Sequence, residues 1–147
     1  MHLEDSILID CTPQGLYTLI SDVERHKDLL PGYKESRIVE RKDEVVVLQR
    51  EAMIHGRLRR WKSEVSLEEN RGIHFRQLEG PFEGMRVRWD LEAKDRGTEL
   101  RIIHDVEVKP WWKKWWVERV VAKPAIEATA RIVLVAIKQA AEARIPL

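Results

Sequence analysis

The amino-acid sequence predicts an α+β fold in which a curved antiparallel sheet of about seven strands is crossed by a long C-terminal helix. Hydrophobic and polar residues alternate with a period of two from Tyr33 to Lys109, which is typical of strands with one buried face. Two short helical patterns follow the first strand, and a longer amphipathic pattern with helical spacing ends near Ala143. A chain of 147 residues is expected to form a single domain over residues 1–147.

Capping residues mark the first helix. The segment Ser6–Cys11 is predicted to be a short strand, and Thr12 and Pro13 then supply an N-cap and a proline at the first helical position. A second short helix is expected through Val23 to Leu30, and it ends before the Pro31-Gly32 turn.

Six consecutive strands are predicted after these helices, because turn signals divide the alternating segment at Lys42-Asp43, near Gly56, at Asn70-Arg71-Gly72, at Gly80-Pro81 and at Asp95-Arg96-Gly97. Alternation assigns inward-facing residues on three strands: Trp61, Ser63, Val65 and Leu67; Met85, Val87, Trp89 and Leu91; and Leu100, Ile102, His104, Val106 and Val108. Ile103 falls on the opposite, polar face. The run Val45–Leu48 is apolar throughout, so the register of its strand stays open, and with it the side on which Arg50 lies.

The long helix is predicted to cover about 27 residues and to lie across the sheet. Its apolar face is expected to contain Val121, Ala125, Ala128, Ile132, Val133, Ala136 and Ala140, and its polar face Arg119, Lys123, Glu127, Arg131 and Lys138. Pro124 lies within this pattern and is expected to kink or interrupt the helix, because proline lacks the backbone N–H donor.

Composition limits the classes of function. Hydrophobic residues make up 44% and charged residues 35% of the chain, which excludes a disordered tail and a membrane-spanning protein. Residues 1–5 lack the basic and apolar regions of a signal peptide, so a cytoplasmic location is expected. The net charge of +1 provides no general attraction to nucleic acid. Cys11 is expected to fill space, and the five scattered histidines indicate neither a metal site nor a cofactor.

Two groups of residues resemble a known family. The segment from Leu19-Ile20-Ser21-Asp22-Val23 through Leu29-Leu30-Pro31-Gly32 to Ser36 and Arg41 resembles the signature of the polyketide cyclase and coenzyme Q-binding branch of the START-like proteins. Glu79-Gly80-Pro81-Phe82 and Trp89 are similar to that branch's Gly-Pro-Phe turn and the tryptophan of its next strand. The resemblance implies a helix-grip fold, and members of this family bind quinones, lipids or polyketide-like molecules. Two alternatives remain, a cyclase or dehydratase enzyme and a ribosome-associated, toxin-like interaction protein.

The inward face of the curved sheet is expected to line a cavity for a hydrophobic small molecule. The candidate lining residues are Trp61, Ser63, Phe75, Met85, Trp89 and His104. His104 is expected either to anchor a ligand carbonyl or hydroxyl, or to be a core histidine bonded to a neighbour such as Ser63. A catalytic base would need a positioned acid, and Asp105 points to the opposite face of the strand. No catalytic residue is therefore assigned.

Tryptophans and lysines cluster ahead of the long helix. The spacing of the tryptophans places them on one side of a helix, with the lysines opposite, and the cluster consists of Trp111, Trp112, Lys113, Lys114, Trp115 and Trp116. Because exposed tryptophan beside lysine suits a lipid–water interface, this segment is predicted to be the cavity mouth or a peripheral membrane contact. A lid packed over the cavity and an interface with a protein partner are the alternatives.

Basic residues are frequent on the predicted strands and could form a cationic surface for RNA or a ribosome: Arg57, Arg59, Arg60, Arg86, Arg88 and Arg101. A solvated sheet face is the favoured interpretation, in which these side chains pair with Glu64, Asp90, Glu92 and Glu99. The sequence therefore favours a non-catalytic carrier of a lipid, isoprenoid quinone or polyketide-like molecule.

Overall fold

The computed structural model describes residues 1–54, 56–80, 82–107 and 123–143. Within these ranges, seven antiparallel strands form one sheet in the order β1-β7-β6-β5-β4-β3-β2. The elements are β1 (His2–Ile9), α1 (Pro13–Ser21), a 3-10 turn (Val23–Arg25), α2 (His26–Leu29), β2 (Tyr33–Lys42), β3 (Val45–Ile54), β4 (Arg57–Glu68), β5 (Gly72–Glu79), β6 (Arg86–Lys94), β7 (Gly97–Asp105) and α3 (Lys123–Ala143). The predicted α+β architecture is confirmed.

Local chemistry explains where the first helix and the hairpins begin. The Thr12 hydroxyl accepts a hydrogen bond from the Gly15 amide at 3.1 Å, and Pro13 opens α1. Asp43 and Asn70 have φ angles of 48° and 60°, a conformation that short polar side chains tolerate in tight turns. Both residues lie at turns that the sequence predicts, and the strands on either side pair with each other.

The core lies between the inward face of the sheet and α3. The sheet contributes Leu48, Val65, Ile73, Phe75, Trp89, Leu100 and Ile102, and α3 contributes Ala130, Val133, Leu134, Ile137 and Ala141. The structure also settles the register of β3, since Leu48, Arg50 and Ala52 are all buried on this side. Arg50 is therefore an inward-facing residue.

Burial differs from the prediction at two strand positions. Leu67 was expected inside, but 45% of its surface is exposed, because it lies close to the end of β4. Ile103 was expected on the polar face, yet only 4% of it is exposed. Its register partners are Glu4 and Arg88, whose long side chains flank it on both sides.

The apolar face of α3 is rotated from the predicted one. Ile132 was expected to be buried but is 50% exposed, whereas Leu134 and Ile137 are fully buried. Arg131 forms an ion pair with Asp5 of β1, so the side of the helix that carries this arginine faces the sheet edge. The described part of α3 begins at Lys123, next to Pro124, and the predicted interruption lies at the limit of the described residues. No helix in the described ranges is long and apolar enough to cross a bilayer.

Candidate functional site

A cavity of about 630 Å³ lies between the inward face of the sheet and α3. All six of the side chains that the sequence selects for a cavity line it, namely Trp61, Ser63, Phe75, Met85, Trp89 and His104. The rest of the described wall includes Tyr33, Ile54, Phe82, Val87, Ile102, Ala125, Ile126, Thr129, Ala130 and Val133. The wall is therefore mostly apolar and aromatic, and ligand binding by these residues stays a prediction.

Three arginines also line the cavity, Arg50 from β3 and Arg57 and Arg59 from β4. Arg50 is buried, with 3% of its surface exposed, whereas Arg57 and Arg59 are exposed at the start of β4. Among the described residues of the wall there is no aspartate or glutamate. The cavity consequently has a positive electrostatic character although the chain as a whole is nearly neutral.

A buried histidine holds Arg50 in place. The Arg50 Nη2–H group donates to His26 Nδ1 at 3.1 Å, and His26 Nε2–H donates to the Ile20 carbonyl at 2.7 Å. Because arginine is only a donor and a carbonyl only an acceptor, the imidazole must be neutral and protonated at Nε2. Its ring stacks on Trp89 with centroids 5.3 Å apart and an interplanar angle of 15°.

Aromatic rings flank the Arg50 guanidinium. Its Cζ lies 4.9 Å from the centre of the Tyr33 ring and 5.4 Å from that of Phe75, distances at which cation–π attraction operates. Tyr33 in turn makes an edge contact with Trp61, and Phe75 contacts Trp89. The Arg50 Nε–H group has no hydrogen-bond acceptor in the described part of the chain, which is rare for a buried donor.

Burial controls the protonation of the site. Desolvation, reinforced by the positive charge of Arg50, lowers the pKa of His26 to about 3, and the hydrogen bond to the Ile20 carbonyl acts in the opposite direction. Desolvation also lowers the pKa of Arg50 from its ordinary value, and the nearby Tyr33 phenol acts in the opposite direction. Arginine is so strongly basic that the guanidinium stays charged at neutral pH. The site therefore combines a buried cation with a neutral histidine.

His104 lies on the cavity wall, on the face of β7 that alternation predicts. Burial lowers the pKa of its imidazole to about 4, and the neighbouring Asp105 only partly opposes this. In the described residues no hydrogen bond joins His104 to Ser63, which was the suggested partner. Asp105 bonds instead to His2 Nδ1 at 2.6 Å, outside the cavity. His104 is thus a neutral polar group facing an apolar space.

The turn after β5 closes one side of the cavity. The Gln77 side-chain oxygen accepts a hydrogen bond from the Phe82 amide at 2.6 Å, which brings Phe82 to the wall. Gly80 has a φ of 135°, and a Cβ atom there would lie 2.6 Å from the Cβ of Trp61. Only glycine allows the turn to pack this closely on that tryptophan.

Several arginines of the outer sheet face have acidic partners. Arg60 pairs with Glu51 at 2.7 Å, and Arg88 pairs with Asp90 at 3.0 Å. Arg76 and Arg101 pair in the same way with Glu64 and Glu99. Arg57 and Arg59 were expected on this solvated face but line the cavity instead, because they alternate along β4 in register with Trp61. Within the described ranges no group of three histidine, cysteine, aspartate or glutamate side chains could hold a metal ion. The tryptophan–lysine cluster, Trp111–Trp116, lies outside the described residues, and its role stays a prediction.

Sequence reasoning missed His26 and left Arg50 undecided. A signal for Arg50 was available, because Leu48 and Ala52 at two residues on either side are apolar, whereas Gln49 and Glu51 are polar. No comparable signal exists for His26, since its burial depends on contact with a distant strand.

Comparison with known proteins adds independent information. Residues 9–138 match a family model described as polyketide cyclase / dehydrase and lipid transport. A protein of Streptomyces cyaneus named "Putative polyketide cyclase" is 27% identical over 113 residues, which are 74% of this chain and 74% of that protein.

Solved structures share the same fold. The Zhui aromatase/cyclase of Streptomyces sp. R1128 superposes with a TM-score of 0.87 at 22% identity, covering 99% of this chain and 96% of that one. A START superfamily protein of Mycobacterium smegmatis superposes with a TM-score of 0.73 at 20% identity, covering 95% and 98% of the two chains. At these identities the likeness establishes the helix-grip fold alone.

Proposed function

The chain belongs to the polyketide cyclase / dehydrase and lipid transport family, and from this premise we propose that it binds a hydrophobic small molecule in its internal cavity. The START-like resemblance of the sequence is confirmed by this match and by the shared helix-grip fold. The proposed ligand classes are lipids, isoprenoid quinones and polyketide-like compounds. The observation that carries the proposal is the apolar, aromatic-lined cavity of about 630 Å³.

The size and the lining of the cavity both suit such a ligand. Small-molecule sites commonly have volumes of about 300–1,000 Å³ and mostly apolar walls with a few polar groups. Each methylene group that a ligand buries contributes about 0.8 kcal/mol, so a medium-sized lipid or polyketide gains enough from burial alone to bind. Polar groups of the wall, among them Arg50, Ser63 and His104, would orient the ligand.

Filling the cavity tests the proposal. Val133 lies on the wall and is buried, so Val133→Phe is expected to reduce the affinity for N-phenyl-1-naphthylamine, an apolar fluorescent compound, by roughly tenfold or more. Val135→Phe is the matched control, since Val135 is 37% exposed on the same helix. The compound's fluorescence titration measures both affinities. Equal affinities in the two variants, or no binding to the parent protein, would remove the cavity as the binding site.

A co-purifying molecule provides the second test. Solvent extracts of the purified protein, examined by mass spectrometry, are expected to contain a lipophilic compound in amounts comparable to the protein. Val133→Phe is expected to carry less of it. Repeatedly empty extracts, together with no uptake of added lipids, would count against a carrier function.

A cyclase or dehydratase activity is the second candidate, and His104 is the observation that favours it. A neutral imidazole on the wall can accept a proton from the carbon next to a ligand carbonyl. However, a pKa of about 4 makes His104 a weak base at neutral pH, and Asp105 is bonded elsewhere. These two facts favour binding over catalysis. If the activity exists, His104→Ala abolishes turnover of a poly-keto substrate, and unchanged turnover excludes His104 from the mechanism.

A further inference from the structure

We propose that the ligand of this cavity is an amphipathic acid, a molecule with an apolar body and one anionic oxygen group that binds the guanidinium of Arg50. The inference rests on the proposed function, because it assigns a charge to the molecule that the cavity binds. It excludes neutral lipids and quinones as the preferred ligands.

The balance of charge in the cavity is the first support. Arg50, Arg57 and Arg59 line it, and no acidic residue does so in the described part of the wall. His104 is neutral at physiological pH, because burial lowers its pKa to about 4. A space with three positive charges and low-dielectric walls attracts anions and repels cations. An apolar wall with this charge suits a molecule that has both an apolar part and a negative group.

The state of Arg50 is the second support. Only 3% of the surface of Arg50 is exposed, yet its side chain forms no ion pair with a carboxylate in the described chain. Buried charges are normally paired, since leaving water is costly for an ion without a partner. The Nε–H donor lacks any acceptor there. An anionic oxygen from the ligand supplies both the missing charge and the missing acceptor.

The surroundings of Arg50 orient it for such an oxygen. His26 accepts from Nη2, so one corner of the guanidinium is held, and the Tyr33 and Phe75 rings flank the group. Arginine has five N–H donors in a rigid plane, of which the contact with His26 uses one, and the Tyr33 phenol interacts with the same guanidinium. The donors that remain suit an oxyacid, which accepts two parallel hydrogen bonds from a guanidinium.

Arg57 and Arg59 provide an approach for the anion. Both are exposed and both line the same cavity as the buried Arg50. Exposed positive side chains at a cavity raise the local concentration of anions, an effect that salt screens strongly. Contact with a buried guanidinium is screened much less. The structure therefore predicts a salt-sensitive rate of binding and a final affinity that depends less on salt.

Two fluorescent compounds with the same aromatic body test the inference. 8-Anilinonaphthalene-1-sulfonate has a sulfonate group, and N-phenyl-1-naphthylamine lacks it. The parent protein is expected to bind the sulfonate roughly tenfold or more tightly than the amine, because a charge-assisted hydrogen bond is added. A second pair, dodecanoate and dodecan-1-ol, is compared by displacement of the amine. Dodecyl phosphate in the same assay distinguishes a carboxylate site from a phosphate site.

Substitution of single arginines tests whether Arg50 causes the preference for acids. Arg50→Met is expected to abolish the preference for the acids, which is measured within that variant as the ratio of its affinities for 8-anilinonaphthalene-1-sulfonate and N-phenyl-1-naphthylamine. Arg60→Met is the matched control, since Arg60 lies on the neighbouring strand, faces outward and pairs with Glu51. It is expected to keep the preference. The comparison of the paired compounds in the parent protein requires no variant and stands even if Arg50→Met fails to fold.

The outcomes separate this inference from the proposed function. If the neutral compounds bind and none of the three acids binds more tightly than its neutral counterpart, the inference is wrong and the cavity remains an apolar binding site. If a preference for acids persists in Arg50→Met, the anion does not bind at Arg50 and the inference is equally wrong. If none of the compounds binds, the proposed function itself fails.

Discussion

The pairing of His26 with Arg50 should be measurable as an energetic coupling. Replacing His26 by leucine removes one hydrogen bond to the Ile20 carbonyl and one from Arg50 Nη2, and both groups stay buried. A buried polar group that loses its partner costs about 1–3 kcal/mol. The two losses together give a decrease of about 2–6 kcal/mol in the free energy of unfolding for His26→Leu.

Arg50→Met behaves differently, because two effects oppose each other. His26 Nδ1 loses its donor, which costs about 1–3 kcal/mol, while the desolvation penalty of an unpaired buried cation disappears. In the double variant neither of the two groups of the Arg50–His26 hydrogen bond remains. Its loss of stability should therefore be smaller than the sum of the single losses by at least about 2 kcal/mol.

Urea unfolding of the parent, the two single variants and the double variant measures this coupling. The slope of the unfolding free energy against urea must be equal in the four proteins for the comparison to be valid. Single losses that add to within about 0.5 kcal/mol would refute the reasoning, since independent sites add in this way. In that case the hydrogen bond between His26 and Arg50 would not stabilise the fold.

Two further predictions concern protonation and packing. The pKa of His104 is about 4 in the folded chain against an ordinary 6.5, so its contribution to stability is full above about pH 6.5 and falls on acidification by up to about 1.4 kcal/mol per pH unit. The buried His26, with a pKa of about 3, adds a fall of its own over the same range. Urea unfolding at several pH values should show a shallower fall in stability for His104→Leu. The fall should be steeper for His2→Gln, because the pKa of His2 is raised in the folded chain. Equal dependence of stability on pH in the parent and both variants would contradict the burial of a neutral His104. Gly80→Ala should lower stability by about 1–3 kcal/mol more than Gly84→Ala, because both φ angles are positive but only the Gly80 Cβ would contact Trp61. Equal thermal unfolding midpoints for the two alanine variants would show that this contact is not tight.

The strands could be predicted from the sequence where one face is clearly polar. On β6, Arg86, Arg88 and Asp90 alternate with apolar residues, and the buried Trp89 lies on the predicted face. β3 lacks this contrast along Val45–Leu48, which is apolar on both faces. Only the polar Gln49 and Glu51 on either side of Arg50 indicate its direction, and the pairing with β4 settles it. Five of the six cavity residues lie on β4, β5, β6 and β7, and Met85 lies directly before β6.

Tertiary contacts determine the features that the sequence could not predict. The buried face of α3 follows from the contacts of Leu134 and Ile137 with the core of the sheet, whereas helical periodicity alone placed Ile132 inside. His26 belongs to a four-residue helix that has no periodicity of its own. Its role is visible only once Ile20, Arg50 and Trp89 lie around it.

The central claim is that a hydrophobic molecule binds inside the cavity between the sheet and α3. The NMR signals of the methionine methyl groups test it most directly. The chain has three methionines, of which Met85 lines the cavity and Met53 is 42% exposed outside it. With ¹³C-methyl-labelled methionine, titration with N-phenyl-1-naphthylamine is expected to shift the Met85 signal strongly and to leave the Met53 signal in place. Binding that shifts Met53 while Met85 stays unchanged would place the ligand elsewhere and contradict the account.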